Sequence, residues 1–363
     1  MSEAAVDDLV TGVLDGEHRA LARTITNIEN REPGYRDLVS ALHTHTGGAE
    51  VIGVTGSPGA GKSTLVDKLA KTYRDHGHTV GVIAVDPSSP YSGGAVLGDR
   101  IRMASNVGDM DVFFRSMSAR GQLGGLATAT GDAITALDAF GKDRIIVETV
   151  GAGQNEVDVV RTADTVVVLV QPGSGDDVQM LKAGILEIGD VFVVNKADMD
   201  GAATTVTDLR EMLHLREGST ASAAGHHGLG SMENDSNGTG SPDDDDDDDW
   251  EPRVVETVAT DGTGVADLID VLDDHYAHLR ETGELDRRER TRYAEKIRQL
   301  LRADAADLLE AEIDRHGGMD ALVDEVQARE TDPYTIADRI VAPIAECVER
   351  ERERERKRER ERK

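Results

Sequence analysis

Residues 51–70 read VIGVTGSPGAGKSTLVDKLA. An apolar run, Val51 to Thr55, ends in Gly56-Ser57-Pro58-Gly59-Ala60-Gly61-Lys62-Ser63, followed by Thr64, and a helical pattern takes over at once. This is the G-x-x-x-x-G-K-[ST] spacing in the strand-before, helix-after context that the motif requires. Its glycines let backbone N–H groups curl around phosphates. Lys62 is expected to reach the β and γ oxygens, Ser63 to offer a hydroxyl to Mg²⁺, and the helix N-terminus to add partial positive charge.

Outward from that loop, runs of β-branched residues alternate with helical stretches. Strands are expected at 79–85, 111–117, 144–150, 165–170, 191–195 and 254–259, besides 51–55. Unbroken apolar runs of this length suit strands buried on both faces, so the expected fold is α/β: a P-loop NTPase with a mainly parallel sheet flanked by helices. Residues 1–48 and 264–347 carry apolar residues at helical spacing, which adds N-terminal and C-terminal helical extensions. Asp332-Pro333-Tyr334 is expected to cap a last helix.

Asn195-Lys196-Ala197-Asp198 closes the strand VFVVN. An Asp carboxylate there can accept from both N1–H and the N2 amine of guanine, a bidentate pair that adenine does not offer. Thr257-Val258-Ala259-Thr260 follows the next strand, where a small residue, Ala259, can present an amide to guanine O6, so Gly151, Asn195, Lys196, Asp198, Thr257 and Ala259 are the expected nucleotide contacts beside the glycine-rich loop and Thr64. Asp86 and Glu148 end strands and Asp99 lies in a Gly-rich segment. Carboxylates at the C-terminal ends of parallel strands face the nucleotide crevice, which makes these three the metal candidates beside Ser63. Gly151 follows Glu148-Thr149-Val150. No Gln comes directly after it, Gln154 lies three positions on, and Arg115, Arg120 and Lys182 are the cations that could stabilise transition-state charge. Lys62, Glu148, Gln154 and Lys182 form the expected catalytic set, and GTP hydrolysis by the chain alone is expected to be slow.

Composition narrows the partners. Seventy Asp and Glu against forty Lys and Arg give a net charge of -30, and aromatic residues are 3% of the chain. A nucleic-acid partner is disfavoured because it calls for clustered cations, and so acidic a surface fits a halophilic, high-salt cytoplasm in which self-repulsion is screened. One cysteine, Cys347, excludes an intramolecular disulfide and is expected to pack on a C-terminal helix. The eleven histidines are scattered, with no metal-ligand spacing. No signal peptide or apolar run of spanning length is seen, so a soluble, cytoplasmic protein without a membrane partner is expected. Residues 218–249 are rich in Gly and Ser and hold Asp243 to Asp249 in one run, which is expected to be a disordered insertion; a calcium site in the Asp run is the sharper alternative. The last fifteen residues hold six acidic and nine basic side chains. They read as a solvated helix extension, or as an electrostatic arm for an acidic partner.

Five blocks, DPSSPYSGGAVLGDRIRM (86–103), RGQLGGLA (120–127), ETVGAGQNEVD (148–158), QPGSGDDVQMLKAGILEIGDVFVVNKAD (171–198) and ETVATDGTGV (256–265), resemble the MeaB/ArgK family of P-loop GTPases. These are the accessory GTPases of methylmalonyl-CoA mutase, also labelled LAO/AO transport ATPases. The resemblance covers about residues 5–346, apart from the insertion and the tail. It implies GTP/GDP and Mg²⁺ as cofactors, Asp86, Asp99 and Glu148 as Mg²⁺ and switch acids, and a mobile loop over 175–182 that couples nucleotide state to the mutase. It further implies a homodimer and a chaperone role for adenosylcobalamin-dependent methylmalonyl-CoA mutase, gating cofactor loading or protecting the enzyme. A kinase of an amino-acid transport system and a metal-insertion GTPase are the alternatives. The expected organisation is an N-terminal helical segment (1–48), a GTPase domain (49–282), a C-terminal dimerisation segment (283–348) and a charged tail (349–363).

Overall fold

A computed structural model describes residues 1–86, 109–118, 125–149, 157–158, 160–173, 186–223 and 250–361. Seven strands form one sheet: β1 (Glu50–Gly56), β2 (Val80–Asp86), β3 (Val112–Ser118), β4 (Arg144–Thr149), β5 (Thr165–Val170), β6 (Val191–Asn195) and β7 (Arg253–Thr257). Their order is β3-β2-β4-β1-β5-β6-β7, and every pairing is parallel. Each strand expected from the sequence is present, shifted by a residue or two at its ends. The runs are unbroken because both faces are covered: every residue of β1, β5 and β6 is buried.

Three helices precede the sheet, α1 (Glu3–Leu14), α2 (His18–Glu29) and α3 (Tyr35–His43). Their apolar faces, with Leu21, Ile25, Leu38 and Leu42 fully buried, share one core with Ile83, Ile145 and Val147 of the sheet and with α5 (Gly125–Ala139). The N-terminal segment is thus an integral layer on one face. On the other face, α4 (Lys62–Asp75) and α7 (Val265–Glu281) cover Ile52, Val54, Val167 and Leu169. A third core lies between β5, β6 and α6 (Ala202–Ala223). Helix α6 carries the chain to Ala223, six residues into the stretch expected to begin an insertion at 218, and the rest of that stretch, 224–249, lies outside the described residues.

The chain divides into two compact units, Met1–Arg292 and Tyr293–Lys363. The division falls about ten residues beyond the expected boundary at 282/283, because α8 (Glu284–Arg315) begins as part of the first unit. Arg288 forks onto the Asp190 carboxylate at 3.0 and 3.2 Å, and Arg292 Nη2 reaches Asp164 Oδ1 at 2.7 Å. In the second unit, α9 (Gly318–Gln327) and α10 (Pro333–Glu361) accompany the remainder of α8. Asp332 caps α10 as expected, its Oδ1 accepting from the amides of Tyr334 and Thr335 at 2.9 and 3.1 Å. Cys347 lies on α10 but is exposed, not packed: among its described residues the helix buries one apolar side chain, Ile340, seven positions earlier. No described helix is long and apolar enough to cross a membrane.

Candidate functional site

Strand β1 stands at the centre of the sheet, and its C-terminal end delivers the chain into the glycine-rich loop, where open α/β sheets bind ligands. Gly56 has φ +136° and Gly61 φ +94°. A Cβ at Gly56 would be driven into the Leu169 carbonyl oxygen, and one at Gly61 into Asn195 Nδ2, so the loop needs glycine at both positions. Ser57 and Ala60 are buried, while Pro58, Gly59 and Thr64 face solvent. Lys62 opens α4 and is buried, its Nζ donating to the carbonyls of Gly56 and Ser57 at 2.8 and 2.9 Å. The ammonium charge is therefore held inside the loop, beside the amides of the first helical turn.

Ser63 Oγ donates to Glu148 Oε1 at 2.5 Å. Glu148 is buried near the end of β4, in register with Val54 of β1 and Ala84 of β2. A hydroxyl and a carboxylate converging at the phosphate loop are hard oxygen donors of the kind Mg²⁺ takes. The backbone of Asp86 ends β2, one strand from Glu148, while Asp99, Gly151, Gln154, Lys182 and Arg120 lie outside the described residues. Arg115 does not serve as a charge-stabilising finger here: its Nη2 is bound to Glu29 Oε2 at 2.7 Å and Thr26 Oγ1 at 3.2 Å on α2.

The end of β6 meets the same loop. Asn195 is buried, and both ends of its amide bind protein: Nδ2 donates to Ala60 O at 2.7 Å, while Oδ1 accepts from Thr257 Oγ1 and the Ala259 amide, both at 3.0 Å. Asn195 and Thr257, both read from sequence as nucleotide contacts, tie the phosphate loop to β6 and to the turn after β7. The Ala259 amide read as a donor to guanine O6 is taken by Asn195 in this structure. Lys196 has φ +60°, uncommon for a residue with a side chain. Its Nζ donates to Gly59 O at 2.8 Å and to Gln171 Oε1 at 2.9 Å. Asp198, in the turn after β6, is exposed. The site thus combines a phosphate cradle with an outward carboxylate one loop away, held together by Asn195 and Lys196. Gln171 was missed in the sequence, although its place directly after strand TVVVLV on the crevice side marks it.

The family model described as methylmalonyl-CoA mutase-associated GTPase MeaB matches residues 21–314. The chain is 45% identical to a relative from Pyrococcus abyssi (strain GE5 / Orsay) over 93% of this chain and 97% of the relative. It is 31% identical to GTPase ArgK of Escherichia coli (strain K12), covering 82% of this chain and 84% of that one. With the mitochondrial methylmalonic aciduria type A homolog of Mus musculus it shares 32% identity over 79% of this chain and 67% of the other. The crystal structure of an LAO/AO transport system kinase superposes with TM-score 0.60 at 25% identity, over 95% of this chain and 99% of that one. Together with the phosphate cradle built on β1 and α4, these matches make the chain a P-loop GTPase of the methylmalonyl-CoA mutase-associated MeaB family.

Proposed function

We propose that this GTPase is the accessory protein of an adenosylcobalamin-dependent methylmalonyl-CoA mutase, its nucleotide cycle gating cofactor loading or protecting the mutase. The observation that carries the reading is the family match over residues 21–314, which takes in α3 and most of α2 and α8 as well as the bare nucleotide core. Lys62 binds the β and γ phosphate oxygens, Asp198 reads the guanine edge, and Lys196 braces the loop between them. Ser63 and Glu148, with Asp86 and Asp99, would hold Mg²⁺, which would supply charge neutralisation to the bound phosphates. Gln154 and Lys182 complete the catalytic set, and residues 175–182 carry nucleotide state to the partner.

A homodimer through the second unit is part of this proposal. Ile297, Leu301 and Leu308 on α8 are 57%, 64% and 59% exposed at spacings of four and seven, and Met319, Val323 and Val341 extend the apolar surface over α9 and α10. Exposed apolar side chains at helical spacing are what a protein interface would cover. The assignments of 1–48, 49–282, 283–348 and 349–363, and a salt-rich cytoplasm as the setting, belong to the same reading. A second reading, a kinase serving an amino-acid transport system, is favoured by the superposition on the LAO/AO transport system kinase.

The deciding experiment measures GTP hydrolysis and GDP affinity in molar KCl with and without the cognate mutase. Mutase and nucleotide are expected to alter each other's affinity by the same factor, as linkage demands. Lys62→Ala is expected to abolish turnover. Phosphoryl transfer to an amino-acid-binding protein, with no response to the mutase, replaces this reading by the kinase one.

A further inference from the structure

Glu29 is the last residue of α2, where the helix dipole disfavours a carboxylate. Its placement is explained by what it holds. Oε1 accepts from the Ser118 amide at 3.2 Å, and Oε2 pairs with Arg115 Nη2 at 2.7 Å. Both partners lie on β3, whose one neighbour among the described strands is β2. Arg115 is partly buried, and its Nε has no hydrogen-bond partner among the described residues, where the ion pair with Glu29 carries most of what compensates its charge.

The register shows what this grip positions. Ser118 is the partner of Asp86, and Met117 the partner of Val85. On its other side β2 pairs with β4, Ala84 opposite Glu148. The Asp86 end of β2 therefore lies between Ser118, gripped by α2, and Glu148, in contact with Ser63. We propose that Glu29 is a positioning residue for the metal: through Ser118 and Arg115 it fixes the end of β3, and with it the Asp86 end of β2, where Mg²⁺ requires it. This gives the N-terminal helices a part in placing the metal. The inference rests on the reading of Asp86 and Glu148 as metal acids.

The test titrates GDP by calorimetry in EDTA and at rising Mg²⁺. Wild-type affinity is expected to tighten with Mg²⁺. Glu29→Ala is expected to raise the Mg²⁺ concentration for half of that tightening by about tenfold, the usual effect of losing a group that orients metal ligands, while the affinity in EDTA is unchanged. Its thermal midpoint is expected to fall, because Arg115 loses its counter-charge. Adding Arg115→Met to Glu29→Ala is expected to restore the midpoint and leave the Mg²⁺ shift, since the Ser118 amide is still not held. An unchanged Mg²⁺ response in Glu29→Ala, or a shift cured together with the midpoint in the double variant, overturns the positioning role alone. A wild-type protein indifferent to Mg²⁺, or an Asp86→Ala variant with the full response, removes the metal assignment and the inference with it.

Discussion

Glu50 opens β1, six residues before the loop that holds phosphate, and its side chain is wholly buried. Arg144 Nη1 lies 3.0 Å from Oε2, yet among the described residues neither carboxylate oxygen has a well-directed hydrogen bond, and Asp273 draws on the same guanidinium. Burial outweighs the attraction of Arg144 and pushes the carboxyl from its ordinary 4.5 up to about 8. The folded chain then binds more protons than the unfolded one between these values. Stability from this group is complete below about pH 4.5 and is lost as pH rises through about 8, to a total on the order of 5 kcal/mol. Glu50→Gln is expected to be more stable than wild type at pH 9 and to flatten the decline between about pH 4.5 and 8, read by denaturant titration at fixed salt. An equal decline in both proteins contradicts the assignment. The sequence could not show this residue: an acid at the start of a strand in so acidic a chain reads as surface. Lys62, Ser63 and the loop glycines were legible because backbone curvature and phosphate chemistry fix both their types and their spacing.

At the scale of elements, the joints between strand ends were the least legible part of the site. The motif Asn195-Lys196-Ala197-Asp198 was found from its spacing, but which of its members face ligand and which face protein depends on where Ala60, Thr257 and Ala259 are placed by the sheet order β1-β5-β6-β7. Four residues in a row cannot report a contact that reaches back 135 positions. The structure separates two effects that the sequence joined. Asn195→Ala deletes the tie to Ala60 and leaves a buried threonine hydroxyl and a buried amide without their acceptor, at a cost of about 2–4 kcal/mol. It is expected to lower the thermal midpoint and to weaken GDP and IDP alike by tenfold or more, about 1.4 kcal/mol per decade. Asp198→Asn touches an exposed side chain and is expected to leave the midpoint in place while shifting preference from guanine to xanthine nucleotides. Calorimetry of both variants with GDP, IDP and XDP distinguishes the two; a stable Asn195→Ala protein with altered base selectivity would return Asn195 to the ligand.

On the scale of the whole molecule, the parallel sheet was legible because unbroken β-branched runs have few other solutions, whereas the division of the chain was not. Helix α8 has no fully buried residue, so no apolar period marks where it leaves the first unit; two arginines one turn apart, Arg288 and Arg292, set that point. The apolar stripe past it gives a direct test of assembly: Leu301→Glu is expected to convert a dimer to a monomer in sedimentation velocity with hydrolysis by the isolated chain retained. The acidic segment between α6 and β7 gives another. Its far end is anchored by Trp250, whose Nε1 donates to Asp190 O at 2.9 Å and whose ring packs edge-on against buried His275 at 4.7 Å, under the Arg253 guanidinium at 4.6 Å. Asp190 is the same residue that receives Arg288, so Trp250 closes the base of β6 and α7 against the start of α8. Loop-closure entropy changes only logarithmically with length, so deleting residues 226–244, with Ala223 and Trp250 kept, is expected to change stability by less than about 1 kcal/mol. Trp250→Ala is expected to cost about 3 kcal/mol by emptying a packed contact and exposing the Asp190 joint. Denaturation of both variants, with GDP affinity measured at equal folded fraction, checks the pair: a deletion that unfolds the protein or abolishes GDP binding gives the acidic run a role in the core, and a neutral Trp250→Ala shows that the anchor lies elsewhere.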